Sequence, residues 1–412
     1  MRRLALGLAA AILLFAGRAT AGTDEAWSFG GFADTYHAAR TGGDGALLSS
    51  RTRLRGELSG YRGEAFFFAS FNAVHNGLLE SETGIQLRES YFQHAGGNWE
   101  LTAGRQIVVW GVADGLRITD LVSPMDLTEF LARDYDDIRT PVDGIRLKYL
   151  DGSLNAELVY LPVAAFDIIP LDMANPWCPF GGEGVTKVEL VDAGRPAKTL
   201  ENGELGLRAS LYRAGLDLGF MALRTWNKTP VYLAEYAAAT GTLRLRARHQ
   251  RMTVLGVNVS RPQGAWVLRG EAAAYVDNLH QVLRAGIAGT VQRTDWHLLA
   301  GVDWYPGGEW TITGQFIHNR VPDHEEGMMT PARASLATFG ITKLLARNTL
   351  KLSTFAYADL TNESIFNRCY ADYSLSDDLH LLLGWDLFAG DAGVYAIYDD
   401  NSELWFKAKF GF

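Results

Sequence analysis

Read two residues at a time, much of the chain splits into an apolar face and a polar face. Arg51, Arg53, Arg55 and Glu57 alternate with Thr52, Leu54, Gly56 and Leu58. Arg146 and Lys148 alternate with Ile145, Leu147 and Tyr149, and Arg208 and Ser210 with Leu207, Ala209 and Leu211. Arg269 and Glu271 lie between Leu268, Gly270 and Ala272, and Thr311, Thr313 and Gln315 between Ile312, Gly314 and Phe316. The chain closes on LWFKAKFGF, with Leu404, Phe406, Ala408, Phe410 and Phe412 on one side and Trp405, Lys407, Lys409 and Gly411 on the other. Period two is strand periodicity, because successive strand side chains point to opposite faces. A soluble sandwich also alternates, but its buried faces favour large aliphatics. Here small residues and Gly recur on the apolar faces, which lipid contact tolerates.

The connections sharpen the choice. Short turn signals fall at 61–63, 96–98, 151–153, 212–215, 261–264, 306–308, 346–348 and 376–378. Between them run longer excursions, roughly 41–50, 76–86, 111–142, 163–203, 227–248, 279–293, 320–335, 362–364 and 389–402, and alternating short and long connections mark an outer-membrane barrel. Trp99, Trp266, Trp304 and Trp310 lie beside short turns, where an interfacial aromatic girdle belongs. The pattern predicts an all-β transmembrane antiparallel barrel of 18 strands. Sixteen is the fallback, reached if 242–250 and 280–293 are divided differently. The first strand begins near Trp27, leaving no room for a plug domain, which argues against an energy-coupled transporter.

The N-terminus fits this picture. Arg2 and Arg3 precede an apolar run from Leu4 to about Ala16, followed by Ala19-Thr20-Ala21, the pattern of a secretory signal peptide. Cleavage is expected after Ala21, leaving 22–412 as one barrel. A membrane anchor would need about 20 apolar residues, and this run is shorter. Loss of Arg2, Arg3 and Arg18 takes the formal net charge from −9 to −12. An acidic exported chain is a poor partner for nucleic acid. Cys178 and Cys369 are too few for a disulfide scaffold. No CxxCH motif is present, so no covalent haem, and no cofactor, is expected. Cys369 falls on the lipid side by parity, which disfavours a Cys178–Cys369 bridge.

The densest chemistry lies in GRQIVVWGVADGLRITDLVSPMDLTEFLARDYDDIRTPVDG, Gly104 to Gly144. It begins as the fifth strand and runs into the third long loop. Trp110 to Arg139 holds Asp114, Asp120, Asp126, Glu129, Asp134, Asp136 and Asp137 with Arg117, Arg133 and Arg139. Pro124 to Arg133 reads as a short helix, with Ser123 as N-cap and Asp126 and Glu129 near its positive end. One reading is a solvated loop held by its own salt bridges. The other is a loop folded into the lumen as a constriction, with Asp114, Arg117, Asp120, Asp126, Glu129, Asp136, Asp137 and Arg139 as its charged residues. A porin-sized lumen is otherwise a wide aqueous channel, and rings of charge then set ion preference.

Glu89, Tyr91, Gly104-Arg105-Gln106, Trp110-Gly111, Asp114, Asp120, Pro124, Asp126, Asp136, Asp137 and Arg139 follow the pattern E-x-Y, G-R-Q, W-G-x-x-D, D-x-x-x-P-x-D and D-D-x-R. In these residues the chain resembles a poorly characterised family of Gram-negative outer-membrane barrels, porin-like and distantly similar to alginate-export barrels. The resemblance implies location and fold, and no substrate.

Parity places Arg51, Arg53, Arg55, Arg146, Lys148, Arg208, Arg269, Lys351, Arg368, Lys407 and Lys409 on the lumen wall, with Glu57, Glu271, Asp359 and Asp372. A basic wall facing an acidic loop is therefore expected. Phe410 and Phe412 resemble the terminal signal read by the outer-membrane assembly machinery. Other candidates are weaker. His324-Glu325-Glu326 lacks HExxH spacing, and no G-x-S-x-G occurs, so an enzyme is not expected. Asp399, Asp400, Asn401 and Glu403 have the oxygen chemistry of a Ca²⁺ site at a lipopolysaccharide-bearing rim, although such clusters are usually just solvated. The function expected is passive passage of small hydrophilic solutes. The alternative is a sheath or export conduit around a partner, such as a multihaem cytochrome or an exported polymer. A homotrimer and a partner cytochrome are both compatible with this reading.

Overall fold

The computed structural model describes residues 25–135 and 137–412; the expected leader and Asp136 lie outside the described residues. In chain order the strands are β1 (Glu25–Arg40), β2 (Leu47–Arg62), β3 (Ala65–Asn76), β4 (Gly84–Gly96), β5 (Trp99–Gln106), β6 (Val142–Asp151) and β7 (Leu154–Leu161). Then come β8 (Lys187–Asp192), β9 (Glu204–Arg213), β10 (Leu216–Trp226), β11 (Val231–Ala237), β12 (Thr242–Arg248), β13 (Arg251–Gln263) and β14 (Trp266–Arg284). The last are β15 (Ile287–Gly307), β16 (Trp310–Arg320), β17 (Arg333–Leu345), β18 (Leu350–Asp359), β19 (Ser364–Ser374), β20 (Leu379–Gly390) and β21 (Glu403–Gly411).

Eighteen of these form one antiparallel sheet that closes on itself, since β1 pairs with β2 on one side and β21 on the other. Closure removes every open edge, the condition for spanning lipid with strands. No helix among the described residues is long and apolar enough to cross a membrane. All eight expected turns join barrel strands at one end, six with two residues and two with four, so they fix register tightly. Alternation supplies the outer band: Trp27, Phe29, Phe220, Phe316, Phe339 and Phe406 are all exposed on the outer face. Trp266 and Trp304 stack with ring centroids 5.0 Å apart beside a short turn.

Three expectations change. Residues 279–293 are not a loop but the continuation of β14 and β15, paired to Arg284↔Ile287 beyond a bulge at Tyr275/Asn278. Ala285 (φ 49°) and Gly286 (φ 79°) make the two-residue turn that closes it. Residues 242–248 are a strand, but of a separate sheet in the order β11-β12-β8, where Leu245 and Ala247 are buried. Residues 124–133 form no helix. Met125 bridges to Arg139 and Asp126 to Ile168, and Phe130 takes a φ of 44°. Ser123, the expected cap, accepts instead from the Val108 amide at 2.9 Å.

Candidate functional site

The loop 107–141 leaves β5 and turns back on itself near its start. The Trp110 amide donates to Asp120 Oδ1 at 2.8 Å, and the Trp110 indole reaches Glu157 on β7 at 2.9 Å. Gly206 on β9 makes room for that ring; a Cβ there would come within 2.6 Å of it. Ile118, Leu121 and Val122 join Trp110 against Leu223, Val254, Tyr275 and Ile317 of the inner wall. One flank of the loop is therefore a dry core, although sequence parity had assigned the inward side of the strands to water.

One wall carboxylate gathers four donors of the tip. Glu271, itself buried, accepts from the amides of Val112, Ala113 (2.8 Å) and Thr119 (3.1 Å) and from the Thr119 hydroxyl (2.9 Å). Gly111, at φ 97°, gives the turn that aims these amides. Gln315 on β16 exchanges two hydrogen bonds with the Asp114 backbone at 3.0 and 2.9 Å, and Tyr357 on β18 donates to the Gly115 carbonyl at 3.1 Å. Asp114 pairs with Arg269 on β14 at 2.7 Å, and Arg269 also contacts Asp303.

The second half of the loop is fixed to the far wall. Glu129 meets Arg51 at 3.3 Å and Ser49 at 2.8 Å on β2 and also pairs with Arg133. Asp137 bridges Arg53 (2.9 Å) and Arg55 (3.0 Å), and Asp134 pairs with Lys407 on β21 at 2.6 Å. Within the loop region Asp126 pairs with Arg133 (2.9 Å), Asp120 with Arg139 (2.9 Å), and Arg117 with Asp167 of the next loop (3.1 Å). In the order of the 18 strands β2 and β14 stand nine apart, so the loop is bonded to opposite sides of the barrel. Phe130 also packs with Trp177, Tyr395 and Tyr398, which brings the loops at 162–203 and 391–402 onto it.

These pairs set the loop's protonation. Burial pushes the Glu129 carboxyl up, but Arg133 and Arg51 outweigh it and hold the group at about 2. Asp137 is likewise raised by burial and lowered further by Arg53 and Arg55, ending well below the ordinary carboxylate range. Asp134 ends low for the same reason, with Lys407 and Arg368 opposing its burial. All three therefore stay ionised at neutral pH.

Open space remains beside the loop. A cavity of about 410 Å³ lies between the loop and the wall, lined by Arg51, Arg53, Asn72, Arg133 and Asp137 among others. A second, about 350 Å³, borders Arg133, Asp134 and Arg368 on one side and Leu131, Phe355 and Phe366 on the other, so it is largely apolar. A third, about 500 Å³, opens at the short-turn end past Asp134, Phe32, Lys407 and Lys409. Arg133 borders the first two and Asp134 the last two, so the three stand in series around these residues.

The wall differs from the basic surface expected. Arg146 pairs with Glu157 (2.8 Å) and Lys148 with Glu100 (2.7 Å), and Arg208 stands opposite Glu157 in register. Asp34 takes Arg53, and Asp386 takes Arg368. Asp34, Glu100, Glu157, Asp303 and Asp386 lie on the inward parity of their own strands, and this signal could have found them. The loop and wall charges form pairs, not two free rows. Lys409 lies over the Phe32 ring at 4.4 Å, and Lys351 over Tyr370 at 5.5 Å. Glu403 is buried in the wall and accepts from Tyr36 at 2.9 Å, whereas Asp399 and Asp400 are exposed, so the four rim oxygens do not converge. Cys178 and Cys369 are free thiols. Phe410 and Phe412 are exposed on the outer face, and the Phe412 backbone is zipped to Gly31 at 3.0 and 3.1 Å.

A search of curated proteins finds no match. Among solved structures, Salmonella typhi OmpF in complex with daunomycin is 10% identical, with 94% of this chain and 98% of that one covered and a TM-score of 0.47. The outer-membrane channel DcaP of Acinetobacter baumannii is 10% identical over 96% and 99%, with a TM-score of 0.46. A mutant of the Rh. blastica porin is 10% identical over 94% and 100%, with a TM-score of 0.44. Likenesses this faint carry no weight beside the pairing register. The model of one family, described as a protein of unknown function (DUF1302), matches residues 72–375, and the chain belongs to that family.

Proposed function

We propose that the protein is a passive channel for small hydrophilic solutes in the outer membrane of a Gram-negative bacterium. Its short turns face the periplasm and its long loops face outward, the arrangement usual for such barrels. The observation that carries the reading is the loop 107–141, bonded to opposite sides of the barrel with open cavities still bordering it. Solutes pass beside the loop, through the three cavities and the gap at Arg133 and Asp134. Fixed charges lining so narrow a gap select by charge and size. No cofactor or catalytic group enters the reading. A sheath around a folded cytochrome or a threaded polymer is disfavoured, because the loop occupies the width such a partner needs.

Planar-bilayer recording and liposome swelling test the proposal. Purified barrel should conduct in discrete steps and admit small sugars or amino acids while excluding larger solutes. A heat-modifiable barrel that neither conducts nor swells liposomes would overturn it.

A further inference from the structure

Arg320 ends β16, Arg333 begins β17, and the two stand opposite each other in register. Both face outward. Phe316, four residues before Arg320, and Phe339, six after Arg333, are exposed on the outer face, and no register shift intervenes. Both arginines are exposed, and neither has an ion-pair partner among the described residues. Glu325 in the adjoining loop is taken by Arg284 and Arg293. Like charges placed directly opposite on neighbouring strands repel, so this rim position favours an anion from outside the chain.

Its height identifies the anion. Trp310 begins the same strand at the short-turn end and is exposed on the same face. The ten-residue rise from Trp310 to Arg320, at about 3.3 Å each and a tilt of about 40°, gives roughly 25 Å along the membrane normal, the height of an apolar band. The pair therefore sits at the loop-side boundary of the band. Trp296, an exposed aromatic, faces Arg320 across the strands, and His318 bonds Ser335 at 3.0 Å just below.

We propose that Arg320 and Arg333 form a clamp for a phosphate of lipopolysaccharide, the lipid of the outer leaflet. The planar guanidiniums offer paired donors matched to phosphate oxygens, and Trp296 lies against the first carbons of an acyl chain. The clamp depends on the outer-membrane placement proposed above, but not on conduction.

The test uses the full barrel in detergent with bisphosphorylated lipopolysaccharide, read by native mass spectrometry and by competition. Wild-type protein should retain the lipopolysaccharide. R320Q/R333Q should weaken the apparent affinity roughly thirtyfold, since each of the two interfacial cations contributes about 1 kcal/mol. R320K/R333K keeps the charge but loses the paired donors, controls for folding, and should bind more weakly than wild type and more tightly than R320Q/R333Q. Dephosphorylated lipid should bind wild-type protein as weakly as the native lipid binds the Gln variant. Equal binding by wild type and R320Q/R333Q would overturn the clamp. Equal competition by phosphatidylglycerol vesicles or by inorganic phosphate would overturn lipopolysaccharide as its ligand. Single-channel conductance of the Gln variant should match wild type, which separates failure of the clamp from failure of the channel.

Discussion

Glu271→Ala removes the one carboxylate that gathers the loop tip. Four donors lose their acceptor: the amides of Val112, Ala113 and Thr119 and the Thr119 hydroxyl. A hydrogen bond to a charged group contributes about 1.5–3 kcal/mol, and such terms are not additive when they share one acceptor. A total of about 3–4 kcal/mol follows, and at roughly 1.4 kcal/mol per tenfold the docked-to-undocked ratio of the tip falls by two to three orders of magnitude. The root of the loop stays fixed through Glu129 and Asp137 to β2. The barrel should therefore fold and remain heat-modifiable, while open-channel current rises and becomes noisier. Glu271→Gln keeps the shape with a weaker acceptor and should give an intermediate trace. A folded Glu271→Ala barrel with wild-type current and noise would refute the idea that Glu271 docks the tip.

Three further outcomes follow from the charges and the terminus. Glu129, held at about 2, and the depressed Asp134 and Asp137 stabilise the docked loop fully above their unfolded range. That stability is lost as pH falls through the folded values, so conductance should be flat from pH 8 to about 5 and rise only below about 3; a step near pH 6 would contradict the assignment. Changing Asp114, Asp120 and Asp126 to Asn should move the reversal potential toward anions, and changing Arg51, Arg53 and Arg55 to Gln should move it toward cations; no shift in either set would place these groups away from the ion path. Deleting Phe412, or replacing it with Asp, should leave periplasmic aggregate in place of heat-modifiable barrel, and insertion at the normal level would remove its assembly role.

Legibility tracked how local each signal was. Strand parity and the eight turns depend on neighbours a few residues apart, so the 18-strand barrel could be read from the chain. The route of the third loop could not. Its partners lie far away in sequence: Glu271 is 152 residues from Thr119, and Gln315 is 201 from Asp114. The helix expected at 124–133 rested on a capping pattern, but Ser123 serves Val108 and the backbone pairs with Arg139 and Ile168. Inward Leu223, Val254 and Ile317 do not fit a wholly wet lumen and hinted at the core they form with Trp110. Asp34 and Asp386 were legible by parity, and including them would have replaced the basic wall with a paired one.

The proposed channel runs past a loop that narrows it. The most direct measurement compares single-channel conductance of the wild-type barrel with that of a chain in which 111–137 is replaced by a short Gly-Ser linker, both verified as heat-modifiable. Wild type should give small, discrete steps, and the chain without the loop a several-fold larger conductance approaching that of an open lumen of this strand number. Equal conductance would place the loop outside the path, and two silent barrels would contradict a channel altogether.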